Sequence, residues 1–478
     1  MNSKRVVLPA LCILLACAPA ESGSEFEKWK HQQLESFQQY KDERDKAFAA
    51  FLEQHWRAIE LEQGVVRDRN PKPVVAPIAT PQAAQPTETI APPSVKPQPA
   101  GPETPAPVIP KQRPGVRTEV DYFGTLITFY YDPVFQRAPP ARVTKTAVSN
   151  FWSAQSKANY QALLQQLDAQ AKALRLDDWG YALLVHRLAM KIHPFSKNNQ
   201  ALFCWFMLSK AGYDSRIAYS EDRVYLLLAA VQRMYDVTYF TFGKERYYAV
   251  SFDGSRHRPG QVYTYDGQYP GAVKKLDMVI RTRAARGNDA HKRDLSFDYG
   301  GKRYVIEASY QPSRVDYLNT YPQLDLELYF KSEVGEVAES PLLQQLAAIV
   351  DDMEEVDAVN FLLRFVQSAW QYQTDEQQFG AENSLFPEET IYYPYSDCED
   401  RSVLFTWLVS RLLGLDVIGL NYPGHVAAAV HLDQDVAGEH VIYNGKKFLV
   451  TDPTYINAMA GMAMPGYEHM KPGVIPVR

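Results

Sequence analysis

Four successive patterns of apolar and polar positions run along the chain. In the first, residues 26–59, FEKWKHQQLESFQQYKDERDKAFAAFLEQHWRAI, aromatic pairs recur every 11 residues: Phe26/Trp29, Phe37/Tyr40 and Phe48/Phe51. Eleven residues make almost three helical turns, so the pairs form one stripe on a long, highly charged amphipathic helix. Such a stripe suits a coiled-coil seam, for self-association or a protein partner, and equally a helix lying on its own body or on lipid. Residues 71–114 then carry fourteen prolines. That composition predicts a semi-rigid linker, reaching on the order of 140 Å at ~3.1 Å per residue.

Beyond the linker the pattern occurs twice. VDYFGTLITFYYD (120–132) answers to FDYGGKRYVIEAS (297–309), each a strand pair around a glycine turn. LLQQLDA (163–169) answers to LLQQLAA (342–348), and Asp178 and Asp357 keep the same offset of 179. After about 23 extra residues in the second copy, Leu202, Phe203, Trp205 and Gly212 fall on Leu404, Phe405, Trp407 and Gly414. Both copies close on a strand, in GKERYYAVSFD and GKKFLVTDP. Ordered matches at steady offsets indicate duplication of an α+β unit.

The second copy holds the candidate chemistry. SDCEDRSVLFTWLVSRLLG starts with a predicted capping box, Ser396 and Glu399, continues as an apolar stripe and stops at Gly414. Cys398 would lie in the first helical turn, where free N–H groups favour a thiolate. Asp397, Glu399 and Asp400 oppose that, so the cysteine needs a cationic partner. IGLNYPGHVAAAVHL reads as two strands around a Pro-Gly turn, with His425 opening the second; HVIYNGKKFLVTDPTY is a hairpin through Asn444-Gly445 with Asp452 just past its end. On neighbouring strands, Asp452 would hold one imidazole nitrogen of His425 while the other faces Cys398.

Those segments, DCEDRSVLF, GHVAAAV and GKKFLVTDPTY, resemble the three motifs of the bacterial transglutaminase-like superfamily. The match is tight over about 110 residues of the second copy and loose over the rest. The resemblance implies a papain-like fold, with Cys398 as nucleophile, His425 as general base and acid, and Asp452 as orienting residue. It also implies an oxyanion group upstream of the cysteine, with Tyr393 and Tyr395 both open as that group. Trp407 and His431 are further groove candidates, although an exposed strand histidine is the favoured reading of His431. At the aligned positions the first copy carries Ser196, Arg223 and Phe252, which have no means of activating a nucleophile. The insertion 372–395, rich in aromatics, Gly and Pro, is expected to wall or cover the groove, and the methionine-bearing tail 457–470 to lie near it. Cys204, inside LFCWF, is expected to be packing.

The N-terminus adds a location. MNSKRVVLPALCILLACAPA joins a short basic start to an apolar core too short to span a bilayer, and its LLAC resembles a lipobox with Cys17 as the lipidated residue. The predicted organisation is a signal peptide (1–16), a charged helix (17–65), a Pro-rich linker (66–116), a degenerate non-catalytic repeat (117–290) and a catalytic repeat (291–478). The fold class is α+β, with two tandem transglutaminase-like (papain-like) units. The expected protein is exported and lipid-anchored, in the outer membrane facing the periplasm, and acts on a protein or peptide substrate. A net charge of −6 without a long basic run argues against nucleic acid. No paired Cys or His spacing supports zinc and no dense Asp/Asn/Gly loop suggests calcium, so neither metal nor cofactor is expected. Peptide or amide hydrolysis through an acyl-thioester is the leading reading. Amine cross-linking and a non-catalytic scaffold that keeps the triad geometry are the alternatives.

Overall fold

The computed structural model of the chain describes residues 22–60, 62–67, 72–79, 88–92, 115–138, 142–220, 223–252, 260–281 and 287–477. Two antiparallel sheets with one shared strand order organise this α+β structure. The first runs Gln261–Tyr265, Ser215–Ser220, Arg223–Ala229, Glu245–Val250, Tyr239–Phe242. The second runs Gly473–Pro476, Val417–Tyr422, His425–Val430, Lys446–Thr451, His440–Tyr443. Each sheet packs on a helix, Lys197–Lys210 or Cys398–Leu412. Each half also opens on a hairpin, Val116–Tyr122 with Thr125–Tyr131 or His291–Tyr299 with Lys302–Tyr310. The duplication read from the sequence is therefore repeated in topology.

Local chemistry accounts for the ends of these elements. The Cys398 helix stops at Gly414, whose φ of +69° is a left-handed conformation that glycine adopts without strain. Asn444 and Gly445, both at positive φ, close the predicted two-residue hairpin. The start of the Cys398 helix differs from expectation by one residue. Asp397, not Ser396, is the N-cap, and its backbone N–H donates to Asp400 Oδ2 at 3.2 Å. Ser396 instead ends a short strand paired with Gln371–Tyr372.

The N-terminal region also departs from the expected arm and tether. The helix spans Ser22–Leu52, and residues 56–60 form a strand against Gln261–Tyr265 on the edge of the first sheet. Trp56 has an apolar surface to cover there, and the ladder satisfies its backbone, so the sheet outcompetes continuation of the helix. Phe48, Ala49 and Leu52 are buried in the first half's core, with Phe48 among Trp152, Trp205, Tyr265 and Tyr269. Burial of Phe48 and Leu52 stabilises this docking by about 2 kcal/mol each. Earlier on the same helix Trp29 and Tyr40 are exposed, and the side chains of Phe26 and Phe37 lie outside the described residues.

The described parts of the Pro-rich stretch pack on the body and do not form a free spacer. Ala79 N donates to Ile456 O at 2.7 Å and Ile456 N to Pro77 O at 2.9 Å. Tyr372 Oη donates to Pro73 O at 2.6 Å, and Glu88–Ile90 pairs in parallel with Lys302–Tyr304. These backbone bonds explain why proline-rich sequence settles here: the partner strand or loop supplies what an isolated extended chain lacks. The described residues 65–67 and 72–79 thus act as a strap, with Asp236 N donating to Val65 O on the first half and Tyr372 Oη to Pro73 O on the second. One apolar core joins the halves, running from Phe48 through Tyr317, Tyr329 and Phe386 to Val403, Val426 and Ile475. No described helix is long and apolar enough to cross a membrane. Cys17 and the signal segment lie outside the described residues.

Candidate active site

Cys398 is the first residue of its helix, His425 opens the central strand His425–Val430, and Asp452 follows the adjoining strand Lys446–Thr451. The Pro423–Gly424 turn, with Gly424 at φ +74°, swings the strand back so that His425 points at the helix end. All three residues are buried. Cys398 and His425 line one cleft of about 420 Å³, together with Arg67, Lys72, Glu382, Glu399, Tyr422 and Lys471.

His425 Nε2 lies 2.8 Å from Asp452 Oδ2. The other carboxylate oxygen accepts the backbone N–H groups of Thr454 and Tyr455 at 2.9 and 3.1 Å. A carboxylate so held accepts a hydrogen bond from Nε2–H, which leaves Nδ1 as the nitrogen with the free lone pair. Nδ1 is buried and has no hydrogen-bond partner among the described residues. The rings of Tyr422 and Tyr467 pack against the imidazole.

The Cys398–His425 hydrogen bond expected for a closed ion pair is not made. Cys398 Sγ donates instead to Glu399 Oε2 at 3.2 Å. Burial first, then Glu399 and Asp397, push the thiol well above its ordinary range; Lys72 and the backbone N–H of Val426 act in the opposite direction. The sulfur thus rests on Glu399, in the same cleft as the unpartnered Nδ1 of His425.

The acids around it are a cluster that the sequence showed only in part. Asp375, Asp397, Glu399 and Asp400 are buried and Glu382 is half-buried. Lys72 Nζ is 2.7 Å from Asp397 Oδ2, 2.9 Å from Glu382 Oε1 and 3.2 Å from Asp375 Oδ2, and it also contacts Glu399 Oε1. Three-acid subsets have their oxygens within 4.8 Å of one another, the spacing of a cation site. The cation they hold is the Lys72 ammonium. Burial alone would favour the neutral amine, but Glu399, Asp397, Cys398 and Asp375 keep Lys72 charged far beyond its usual range. Burial likewise raises Glu399, yet Lys72, Asp397 and Arg67 hold it well below a normal carboxyl. Burial and the charge of Glu399 push Asp397 well up, against Lys72, and lift Glu382 to about 7.

A second set of residues fixes the triad's geometry. Gln367 Nε2 donates to the carbonyls of Asp452, Tyr455 and Ala458 at 3.1, 2.8 and 3.1 Å, so it shapes the turn that carries the acid. Arg401, fully buried, donates to Gln367 O, Trp370 O and Ser396 Oγ. Sequence reasoning missed both Gln367 and Lys72. The repeat held a signal for the first: at the same offset of 179 the other copy has Leu188. For Lys72 the signal was the unmatched acidity of Asp397, Glu399 and Asp400.

The secondary candidates are not brought together. Tyr393, Tyr395, Trp407 and His431 do not line the cleft. Tyr393 Oη pairs with Asn319, His431 Nδ1 with Lys447 O at 2.9 Å, and Trp407 belongs to the apolar core. Trp407 lies nine residues beyond Cys398 and packs in the core, and His431 lies past the end of the strand that His425 opens. The insertion does wall the site, through Glu382 and through Ser384 Oγ, which donates to Glu399 Oε1 at 3.1 Å. Of the tail 457–470, Tyr467 covers His425. Cys204 and Cys398 are both free, and burial raises the Cys204 thiol. No family model, no curated protein and no solved structure matches this chain.

Proposed function

We propose that the chain is a thiol enzyme that acts on peptide or amide bonds through Cys398, His425 and Asp452. The single observation behind this reading is the buried His425, bonded to Asp452 through Nε2 and open at Nδ1, in the same cleft as a free cysteine at a helix start. In this mechanism Sγ turns from Glu399 to His425 Nδ1 and gives up its proton there. The thiolate adds to the substrate carbonyl, and the proton on Nδ1 passes to the leaving amine as the C–N bond breaks. A thioester on Cys398 remains, and His425 then deprotonates the water that resolves it. Asp452 holds the imidazole tautomer and stabilises the transient imidazolium.

Tandem transglutaminase-like units, the first without catalytic residues, are part of this proposal; the shared strand order and the motif resemblance support them. So is an exported protein anchored through Cys17 in the outer membrane and facing the periplasm, which the lipobox-like LLAC supports. Resolution of the thioester by an amine, giving cross-linking, uses the same residues. The scaffold reading draws on one observation, the thiol's hydrogen bond to Glu399 in place of His425.

The test is mass spectrometry of the full chain incubated with a mixed peptide pool. An acyl adduct on Cys398, and cleaved products absent with Cys398→Ser, are expected. Cross-linked products in place of cleaved ones would assign the amine route. No adduct, with Cys398 titrating identically in wild type and His425→Ala, would retire the enzyme reading.

A further inference from the structure

We propose that Lys72, carried by the strap that precedes both repeats, is a positioning residue of the Cys398 site, the charge that lets the thiol ionise toward His425. Its consequence for catalysis rests on the thiol-enzyme reading; its effect on the thiol does not.

Charged groups surround the sulfur. Asp397, Glu399 and Asp400 come from its own helix, Asp375 and Glu382 from the insertion, and His425, Asp452 and Tyr467 from the sheet side; Tyr372 adjoins the strap. Against five carboxyls near one helical turn stand, among the described residues, Arg401, Arg67 and Lys72, with Lys471 on the cleft wall. Arg401 is held by three oxygens of the protein interior. Arg67 donates to Leu324 O at 2.9 Å and reaches Glu382 and Glu399 at 3.6 and 3.9 Å. Among the described cations Lys72 alone contacts four of the acids. The thiol's own partner, Glu399, shares its other oxygen between Lys72 and Ser384.

A chain of contacts therefore runs from the ammonium through Glu399 to the thiol. Making a thiolate adds negative charge to a water-poor site already crowded with it, and each nearby charge acts there through a low effective dielectric. With Lys72 present, Glu399 and Asp397 are balanced and the new charge has a counter-ion. Without it, the proton stays on sulfur. The contacts also exclude a simple tether role for the lysine. The strap is held independently by Pro73 O on Tyr372, by the paired bonds between 77–79 and Ile456, and by the strand Trp56–Glu60. It remains seated when the charge is removed.

The experiment follows the thiolate directly, as the ultraviolet absorbance difference between each full-chain protein and its Cys398→Ser counterpart, across pH. Lys72→Met should move the Cys398 midpoint up by about one to two pH units, roughly ten- to a hundredfold less thiolate at fixed pH. Lys72→Arg should restore most of it. Ala79→Pro deletes the strap's bond to Ile456 O without touching a charge, and should leave the midpoint in place. An unchanged or lowered midpoint in Lys72→Met overturns the proposal, and so does an equal shift in Ala79→Pro. His425→Ala, titrated alongside, separates the two claims. If His425→Ala raises the midpoint while Lys72→Met does not, only the role of Lys72 falls. If His425→Ala has no effect, the enzyme reading falls and Lys72 is still judged by its own shift.

Discussion

The two halves share a sheet order and a buried helix, yet their clefts have opposite characters. In the second half a cleft of about 420 Å³ carries Cys398, His425 and acids. The corresponding cleft of the first half is about 80 Å³ and carries Lys197, Arg223, His186 and Phe252. At the offset of 202, Lys197 stands where Glu399 does and Arg223 where His425 does. Where Asp452 orients an imidazole, Phe252 packs on the rings of His186 and Trp179. One scaffold thus supports a site in one copy and a filled, cationic surface in the other. The change needed only side chains at strand and helix ends, where the sheet does not depend on them.

The sharpest way to break this comparison is at the triad. His425→Ala is expected to abolish turnover, and Asp452→Asn to reduce kcat on the order of 10⁴-fold by releasing the wrong tautomer. Arg223→Ala, in the other copy, should leave kcat unchanged. Steady-state kinetics on the substrate found by adduct screening reads all three.

Next in size is the paired tryptophan of the two helices. Trp205 is fully buried and its indole donates to Tyr265 Oη at 3.0 Å, whereas Trp407 is slightly exposed and its Nε1 has no partner among the described residues. Trp205→Ala should cost about 4–5 kcal/mol and Trp407→Ala about 3, measured by urea unfolding. Equal losses would mean that the two cores are equivalent after all.

The halves should also respond oppositely to pH. Burial lowers His193, in the first half, to about 4. On acidification from about 6.5, the unfolded chain takes a proton that the folded one refuses. Stability therefore falls by about 3 kcal/mol across that window and levels off below about 4. In the second half burial, opposed by the backbone N–H of Phe386, raises Glu389 to about 8. Here the unfolded chain loses its proton first, so stability is full below about 4.5 and declines by roughly 5 kcal/mol as the pH rises through 8. Tm against pH should lose its acid slope in His193→Gln and its alkaline slope in Glu389→Gln.

The smallest effect concerns the thiol's resting partner. Glu399→Gln removes the carboxylate at Sγ and should lower the Cys398 midpoint by about one unit, the opposite sign to Lys72→Met. An upward shift would show that Glu399 helps to remove the proton.

Much of this was legible in the sequence because the signals were local or repeated. The Asn444-Gly445 hairpin, the strand opened by His425 and the position of Asp452 follow from turn residues and alternation. The repeat fixed the order of elements. What escaped were contacts between distant segments. Lys72 meets residues about 300 positions away, and its setting among prolines reads as solvent-facing chain. Gln367 reaches the Asp452 turn across some 85–91 positions. Capping was misplaced by one residue because Ser396 and Asp397 are both good caps, and pairing of Tyr395–Ser396 with Gln371–Tyr372 decided between them.

The strap carries a consequence for timing. A ribosome releases residues 65–79 early, while the acids that Lys72 joins and the Ile456 bond that seats the strap come from residues 375–456. A nascent chain can complete its first sheet long before those partners exist. Through most of that interval Lys72 has none of the four carboxylates that it meets in the folded chain. The Lys72 contacts and the Ile456 bonds therefore close only near the end of synthesis, and the strap is seated last of all.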